Sequence, residues 1–560
     1  MIVGGSGMGT LFGVYHFLEK YCGVRWLWPG KLGEVIPRQE ILAIKSIDET
    51  DAPDYLWREL GPGGFLWKEW TRENLYSRMG VSETARTEYR VWERRQRFGY
   101  FRMEGGHVWG AMFPPQKYGE AHPEYFALSN GKRDNILFDV KHRNQLCTSN
   151  PDVIKLSIAY VRDYFEQHPN ADGVSISPND GMGWCMCEKC RAQDIPGYTV
   201  MRRGEPYPVL SDRMMKWAGA VGEAIAESHP DKYLTMLAYG LYRDPPKNTK
   251  VPLNVIVQPN IHSEEFVFPE KKNKDENILR EWSRFAPTLG IYEYMDQQKW
   301  TGLPKHYYPQ LADMLQRYHA IGTRFFETQA GTGFAVNGMN YYVLGKMLWD
   351  VSLDYRDIVR DYCQTGFGEG WQEVESYFQL IAERWTLIPE YETLTGNPFS
   401  WRTAQQIYDF LQALYPDDVL NEAARLLNQA SDKCSSQKDI DRIAFLMQGL
   451  EWTTQTLKGI EMVRALQKDG MDLFNKDTIR KFTELYEQGK SIPHWDDIMT
   501  IYEYWMERER WIDAHRNDFM LSYQWVKSNV HYRPWNPIVP IAKIQGATKR
   551  HHLGTVFYGY

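Results

Sequence analysis

The stretch ADGVSISPNDGMGWCMCEKC, residues 171–190, decides how this chain is read. A run of small and β-branched residues, Gly173–Ser177, stops at Pro178 and hands Asn179, Asp180 and Gly181 to a loop. A strand that ends in exposed polar groups is the unit of βα-repeat enzymes, because the strand fixes the backbone while the loop leaves side chains open to a ligand. The same pattern recurs on both sides of it. Candidate strands are Tyr55–Leu60, Tyr100–Glu104, Gly173–Ser177, Tyr233–Tyr239, Asn254–Gln258, Gly290–Tyr294 and Thr323–Thr328. Helical segments separate them. The clearest starts with Asn150 as N-cap and Pro151 at the first helical position, then places Ile154, Ile158, Val161 and Phe165 on one face. Strand and helix alternating over residues 51–350 predict an α/β fold of the (β/α)8 TIM-barrel type, with an eighth strand degenerate.

The flanks differ from this middle. Residues 1–50 read as a partial small α/β domain, with a glycine turn, a helix carrying Leu11, Val14, Tyr15 and Leu18, and the extended GVRWLWPG. Gly5, Gly7 and Gly9 do not satisfy G-x-G-x-x-G, so a dinucleotide site is rejected on spacing. The chain is expected to begin inside a domain, with an upstream segment that carries an export signal. Residues 351–560 read as a helical domain, with Ile443, Leu446, Met447 and Leu450, and likewise Leu420, Ala423 and Leu427, at helical spacing.

Composition narrows the function. The 560 residues carry a net charge of −7 and no long basic block, which argues against a nucleic-acid partner. No 18-residue apolar span or signal peptide is readable in the chain. Aromatic residues make up 14%, including 21 Trp. Most such rings pack in cores, yet flat apolar faces also stack on the C–H groups of sugars. Trp67, Trp70, Trp109, Trp184 and Trp300 fall near expected loops.

Cys185, Cys187 and Cys190 form C-x-C-x-x-C, three thiols without the second pair that a tetrahedral zinc site needs. Cys147 joins them only if folding brings it there. A local disulfide or plain thiols are the preferred reading, so no metal ligands and no cofactor are assigned.

Several strands end in polar groups: Asn179 and Asp180, Tyr239, Gln258 and Asn260, Glu293 and Asp296, and Glu327. Carboxylates gathered at one barrel mouth would make an acid/base site, whereas isolated ones would form salt bridges. A second cluster, EGGHVW at 104–109 followed by His122 and Glu124, fits recognition of hydroxyls. Neither a nucleophile elbow, a P-loop nor an H-E-x-x-H spacing is present. What remains is carboxylate chemistry on a neutral, hydroxylated ligand. Glycosidic cleavage needs a proton for the leaving oxygen and a group that stabilises an oxocarbenium-like centre, either a second carboxylate or the acetamide of the substrate.

The segments GTLFGVYHFLEKYCGVRWLWPG, GGHVWGAMFPPQKYGEAHPEYFAL, SISPNDGMGWCMCEKC and GMNYYVLGKMLWD resemble the bacterial domain-of-unknown-function 4838 group, whose characterised branch is glycoside hydrolase family 163, endo-β-N-acetylglucosaminidases on complex N-glycans. The front portion is similar to the small domain preceding the barrel of α-glucuronidases and β-hexosaminidases. The resemblance implies a retaining enzyme acting on GlcNAc-containing glycans, with Asp180 as general acid, Asn179 as acetamide polariser, and Glu293 and Glu327 in second-carboxylate roles. Retaining hexosaminidases of this kind use a neighbouring polar pair such as Asp-Glu, and the Asn-Asp pair here departs from it. His107, Trp109, Glu124, Tyr239 and Trp300 would line the sugar subsites. It also implies export to the periplasm or cell surface of a bacterium. The alternatives are an α-glucuronidase-like exo-glycosidase using two carboxylates and a glycan-binding protein without catalysis.

Overall fold

The computed structural model describes residues 1–518 except 39, 45, 62–81, 100, 134–135, 137–143, 203, 296–302, 332, 396–409, 470–475, 489, 492–493 and 516. At its centre lies a parallel sheet of strands β1 (Trp57–Gly61), β2 (Met103–Glu104), β3 (Gly173–Ser175), β4 (Tyr233–Ala238), β5 (Val255–Ile261), β6 (Thr288–Tyr294) and β7 (Thr323–Gln329). Their order across the sheet is β1-β7-β6-β5-β4-β3-β2. Chain neighbours are therefore sheet neighbours everywhere except at the seam between β1 and β2. There the backbone N–H of Gly99 donates to the Arg58 carbonyl at 2.6 Å, an isolated antiparallel bridge.

Side chains on the inner face show that the sheet curls on itself. Trp57, Met103, Ile256 and Phe325 form one buried cluster with Phe101 and Tyr233 against it, drawing on both edges and the middle. Phe101 lies 5.6 Å from Phe325 and 5.7 Å from Tyr233, ring centre to ring centre. This apolar layer fills the amino-terminal end of the barrel. Because side chains alternate along a strand, the next inward layer holds Glu59, Thr235, Gln258, Tyr292 and Glu327.

The outward faces pack under helices. Val174, Leu234, Met236, Val255 and Val257 join a cluster with helices Pro151–Gln167 and Ser211–Ser228. Leu60, Ile261, Ile291 and Phe326 join a second, larger cluster that continues into the carboxy-terminal helices. Helix Pro151–Gln167 begins as expected, with the Asn150 side chain accepting from the Asp152 N–H at 2.9 Å.

All seven expected strands are found, shifted by a few residues at their ends, and there is no eighth among the described residues. Among the described residues the sheet is a curled one of seven strands. The segments beyond residue 351 form long helices, including Tyr355–Gly366, Trp371–Thr386, Asp417–Lys433 and Gln437–Lys468. Leu420, Ala423, Leu427, Ile443, Leu446 and Leu450 are buried there.

The glycine-rich opening has a local explanation. Ser6 caps helix Gly7–Cys22 by accepting from the Gly9 N–H at 3.0 Å. After that helix, Arg25–Trp26 pairs antiparallel with Glu34–Val35, and Trp28 stacks on Phe445 with ring centres 4.6 Å apart. Among the described residues, no helix is long and apolar enough to cross a membrane.

Candidate active site

Glu327 stands on β7 in the polar layer of the barrel, 5% exposed. Its Oε2 accepts from Gln258 Nε2 at 3.1 Å, a bond that spans from β5 to β7. Glu59 is its register partner on β1, is 6% exposed, and accepts from Trp57 Nε1 at 3.1 Å. Trp57 and Phe325, two residues earlier and also in register, both point inward, so the two carboxylates share the inner face. Glu59 was missed in the sequence because Arg58 and Glu59 sit together in an aromatic run, and nothing local says which faces in.

Gly105 closes on this carboxylate from β2. A Cβ built at Gly105 would lie 2.8 Å from Glu327 Oε1, so glycine is the residue that leaves the carboxylate its place. Gly105→Ala is expected to push the Glu327 side chain aside without disturbing the backbone. A misplacement of this kind costs about a hundredfold in turnover. Steady-state kinetics beside a thermal melt checks this, with the melt close to wild type.

The chain then runs outward from Glu327 to Asp180. The Gly106 carbonyl accepts from Ser175 Oγ at 2.6 Å. His107 Nδ1 donates to the Pro178 carbonyl, and the ring lies 6.5 Å from that of Tyr239. Both His107 and Tyr239 are half-buried. Asp180 follows at the rim, partly exposed, with Oδ1 accepting from the Gly181 N–H at 2.8 Å. Burial drives the Tyr242 phenol well above its ordinary range, and the charges of Tyr239 and Asp180 add to the effect. Asp180, His107 and Tyr239 thus follow the carboxy-terminal ends of β3, β2 and β4, and Glu327 lies in the carboxy-terminal half of β7.

Three other assignments, Asn179, Glu293 and Trp109, change. Asn179 is buried, and both ends of its amide are engaged: Oδ1 accepts from the Gly110 N–H at 3.0 Å and Nδ2 donates to the Asn144 carbonyl at 2.6 Å. It staples three segments together, and an amide held that way does not polarise a substrate acetamide. Glu293 falls on the opposite parity of β6 from Tyr292 and points into the helix layer, where Oε1 accepts from the backbone N–H and hydroxyl of Ser263 at 2.9 and 2.8 Å. It positions the loop after β5. Trp109 is fully buried, donates to the Ile176 carbonyl at 3.2 Å and packs edge-on against Trp217, so it is core. Glu124 is exposed and pairs with His122 at 3.0 Å. Its own backbone N–H and His122 hold that carboxyl below the usual range. Trp300 and Asp296, like Trp67 and Trp70, lie outside the described residues.

Away from the mouth, Cys147 reaches the C-x-C-x-x-C segment, and its Sγ lies 3.8 Å from that of Cys187 and 3.9 Å from that of Cys190. These separations exceed the ~2.05 Å of a disulfide. Of the two expected readings, a local disulfide or plain thiols, the structure has the second, with all four cysteines free.

The family described as "Domain of unknown function (DUF4838)" matches residues 28–379. The chain is 34% identical over 77 residues to a probable alpha-glucuronidase A of Aspergillus fumigatus, a stretch that covers 14% of this chain and 8% of the glucuronidase. A family 89 glycoside hydrolase from Clostridium perfringens, solved with 2-acetamido-1,2-dideoxynojirmycin, aligns at TM-score 0.40 and 11% identity over 97% of this chain and 69% of its own. A family 138 glycoside hydrolase that targets pectin rhamnogalacturonan II aligns at TM-score 0.38 and 10% identity over 98% of this chain and 71% of its own.

Proposed function

We propose, from the premise that the chain belongs to the DUF4838 family, that it is a glycoside hydrolase acting on GlcNAc-containing glycans of the N-glycan type, exported by the cell that makes it. One observation carries the hydrolase reading: a buried carboxylate, Glu327, lies on the inner face of the sheet in the carboxy-terminal half of β7, in register with Glu59. Asp180, open to solvent, is the group suited to protonate a leaving sugar oxygen. Glu327, fixed by Gln258 and Gly105, is suited to meet the positive charge that develops at the anomeric carbon. His107 and Tyr239, with ring centres 6.5 Å apart, offer polar edges to sugar hydroxyls.

The geometry also favours a second reading, in which two protein carboxylates act without acetamide help on an exo-cleaved uronic-acid substrate. Its support is the in-register pair Glu59 and Glu327 together with the occupied amide of Asn179. A thiazoline mimic of the bicyclic acetamide intermediate separates the two. Competitive inhibition by the thiazoline, with no turnover of uronic-acid oligosaccharides, supports the GlcNAc reading. Indifference to the thiazoline, with release of uronic acid, supports the second.

A further inference from the structure

The four cysteines near the barrel rim are arranged as a metal site. Cys147 comes from the loop after β2, and Cys185, Cys187 and Cys190 come from the loop after β3. Their Sγ atoms all lie within 4.8 Å of one another, and no carboxylate or imidazole belongs to the group. Thiolates around a tetrahedral zinc at about 2.3 Å stand about 3.8 Å apart, which is the spacing from Cys147 to Cys187 and Cys190.

The surroundings are those of a ligand shell. The Leu128 backbone N–H donates to Cys185 Sγ at 3.3 Å, and the Cys190 N–H donates to Cys187 Sγ at 3.4 Å. Ser149 Oγ lies 3.1 Å from Cys190 Sγ, and the Arg133 guanidinium approaches Cys147 Sγ at 3.9 Å. Donors and a cation aimed at sulfur offset the negative charge that four thiolates leave on a divalent ion. Three of the four cysteines are buried.

We infer that Cys147, Cys185, Cys187 and Cys190 bind one zinc ion. All-sulfur tetrahedral donors select zinc or iron over harder cations, and four protein ligands leave no position for substrate, so the site is structural. Binding releases the thiol protons to solvent, with no change of oxidation state. The ion would clamp the loop after β2 to the loop that carries Asn179 and Asp180, a role for C-x-C-x-x-C that the hydrolase reading does not use.

The test is metal analysis of the full chain purified under reducing conditions. One zinc per chain is expected, released stoichiometrically when an organomercurial titrates the thiols. Reconstitution with cobalt(II) alone should give the intense visible bands of a tetrahedral thiolate complex. Cys187→Ser and Cys190→Ser should each lose the zinc. Should those variants fail to fold, the wild-type zinc content and cobalt spectrum decide the matter. A chain free of zinc that shows no cobalt bands would overturn the inference, as would stoichiometric iron or a disulfide among these residues. None of these outcomes depends on whether the protein cleaves a glycan.

Discussion

Glu327→Gln is expected to lower kcat/KM by roughly a thousandfold, within the ~10²–10⁴ range for a positioned acid or base. The change keeps the shape and the contact with Gln258 Nε2, since the side-chain oxygen can still accept that bond. It removes the negative charge from a site that is almost wholly closed to water, where charge acts most strongly on a developing cation. The loss should therefore fall on kcat, with KM little changed and the thermal midpoint close to wild type. It should also be independent of the leaving group, because the charge at the anomeric carbon develops whatever departs. Parallel kinetics on an oligosaccharide and on a nitrophenyl glycoside measures this. A Glu327→Gln enzyme with turnover near wild type would remove Glu327 from the chemistry.

Asp180→Asn is expected to behave differently. As a general acid at the rim, Asp180 supplies a proton that a sugar leaving group needs and a nitrophenolate does not. Its loss should cost about a hundredfold or more on the natural linkage and only a small factor on the nitrophenyl substrate. Equal losses on both substrates would make Asp180 a loop residue whose part is to accept from the adjacent Gly181 N–H.

The contrast between Glu327 and Glu293 shows what a linear reading of this chain can and cannot reach. Both sit in apolar strands, RFFETQ and GIYEYM, with the same local texture. Only the register of β6 against β7 and the curl of the sheet show that one faces the lumen and the other the helices. The strands themselves were legible because apolar runs ended at Gly, Pro or Asn. Glu59 was hidden by its neighbour Arg58, which turns outward and stacks over Trp349 at 5.1 Å, far along the chain. Asn179 looked like a catalytic amide because its partners, Gly110 and the Asn144 carbonyl, are 69 and 35 residues away. Cys147 is readable as a partner of the C-x-C-x-x-C thiols only on the condition that folding brings it there, since Cys187 lies 40 residues on. In each case the chemistry of the residue was readable and its direction was not.

The central claim is that acidic side chains distant in the chain meet at one end of the curled sheet to cleave a glycosidic bond. It is tested most directly by mass-spectrometric detection of new reducing ends in N-glycoproteins and uronic-acid oligosaccharides, treated side by side with wild type and Glu327→Gln at equal concentration. New reducing ends on at least one substrate with wild type, and none with the variant, is the predicted result. Tight sugar binding without any new reducing end, or equal release by both proteins, would contradict it.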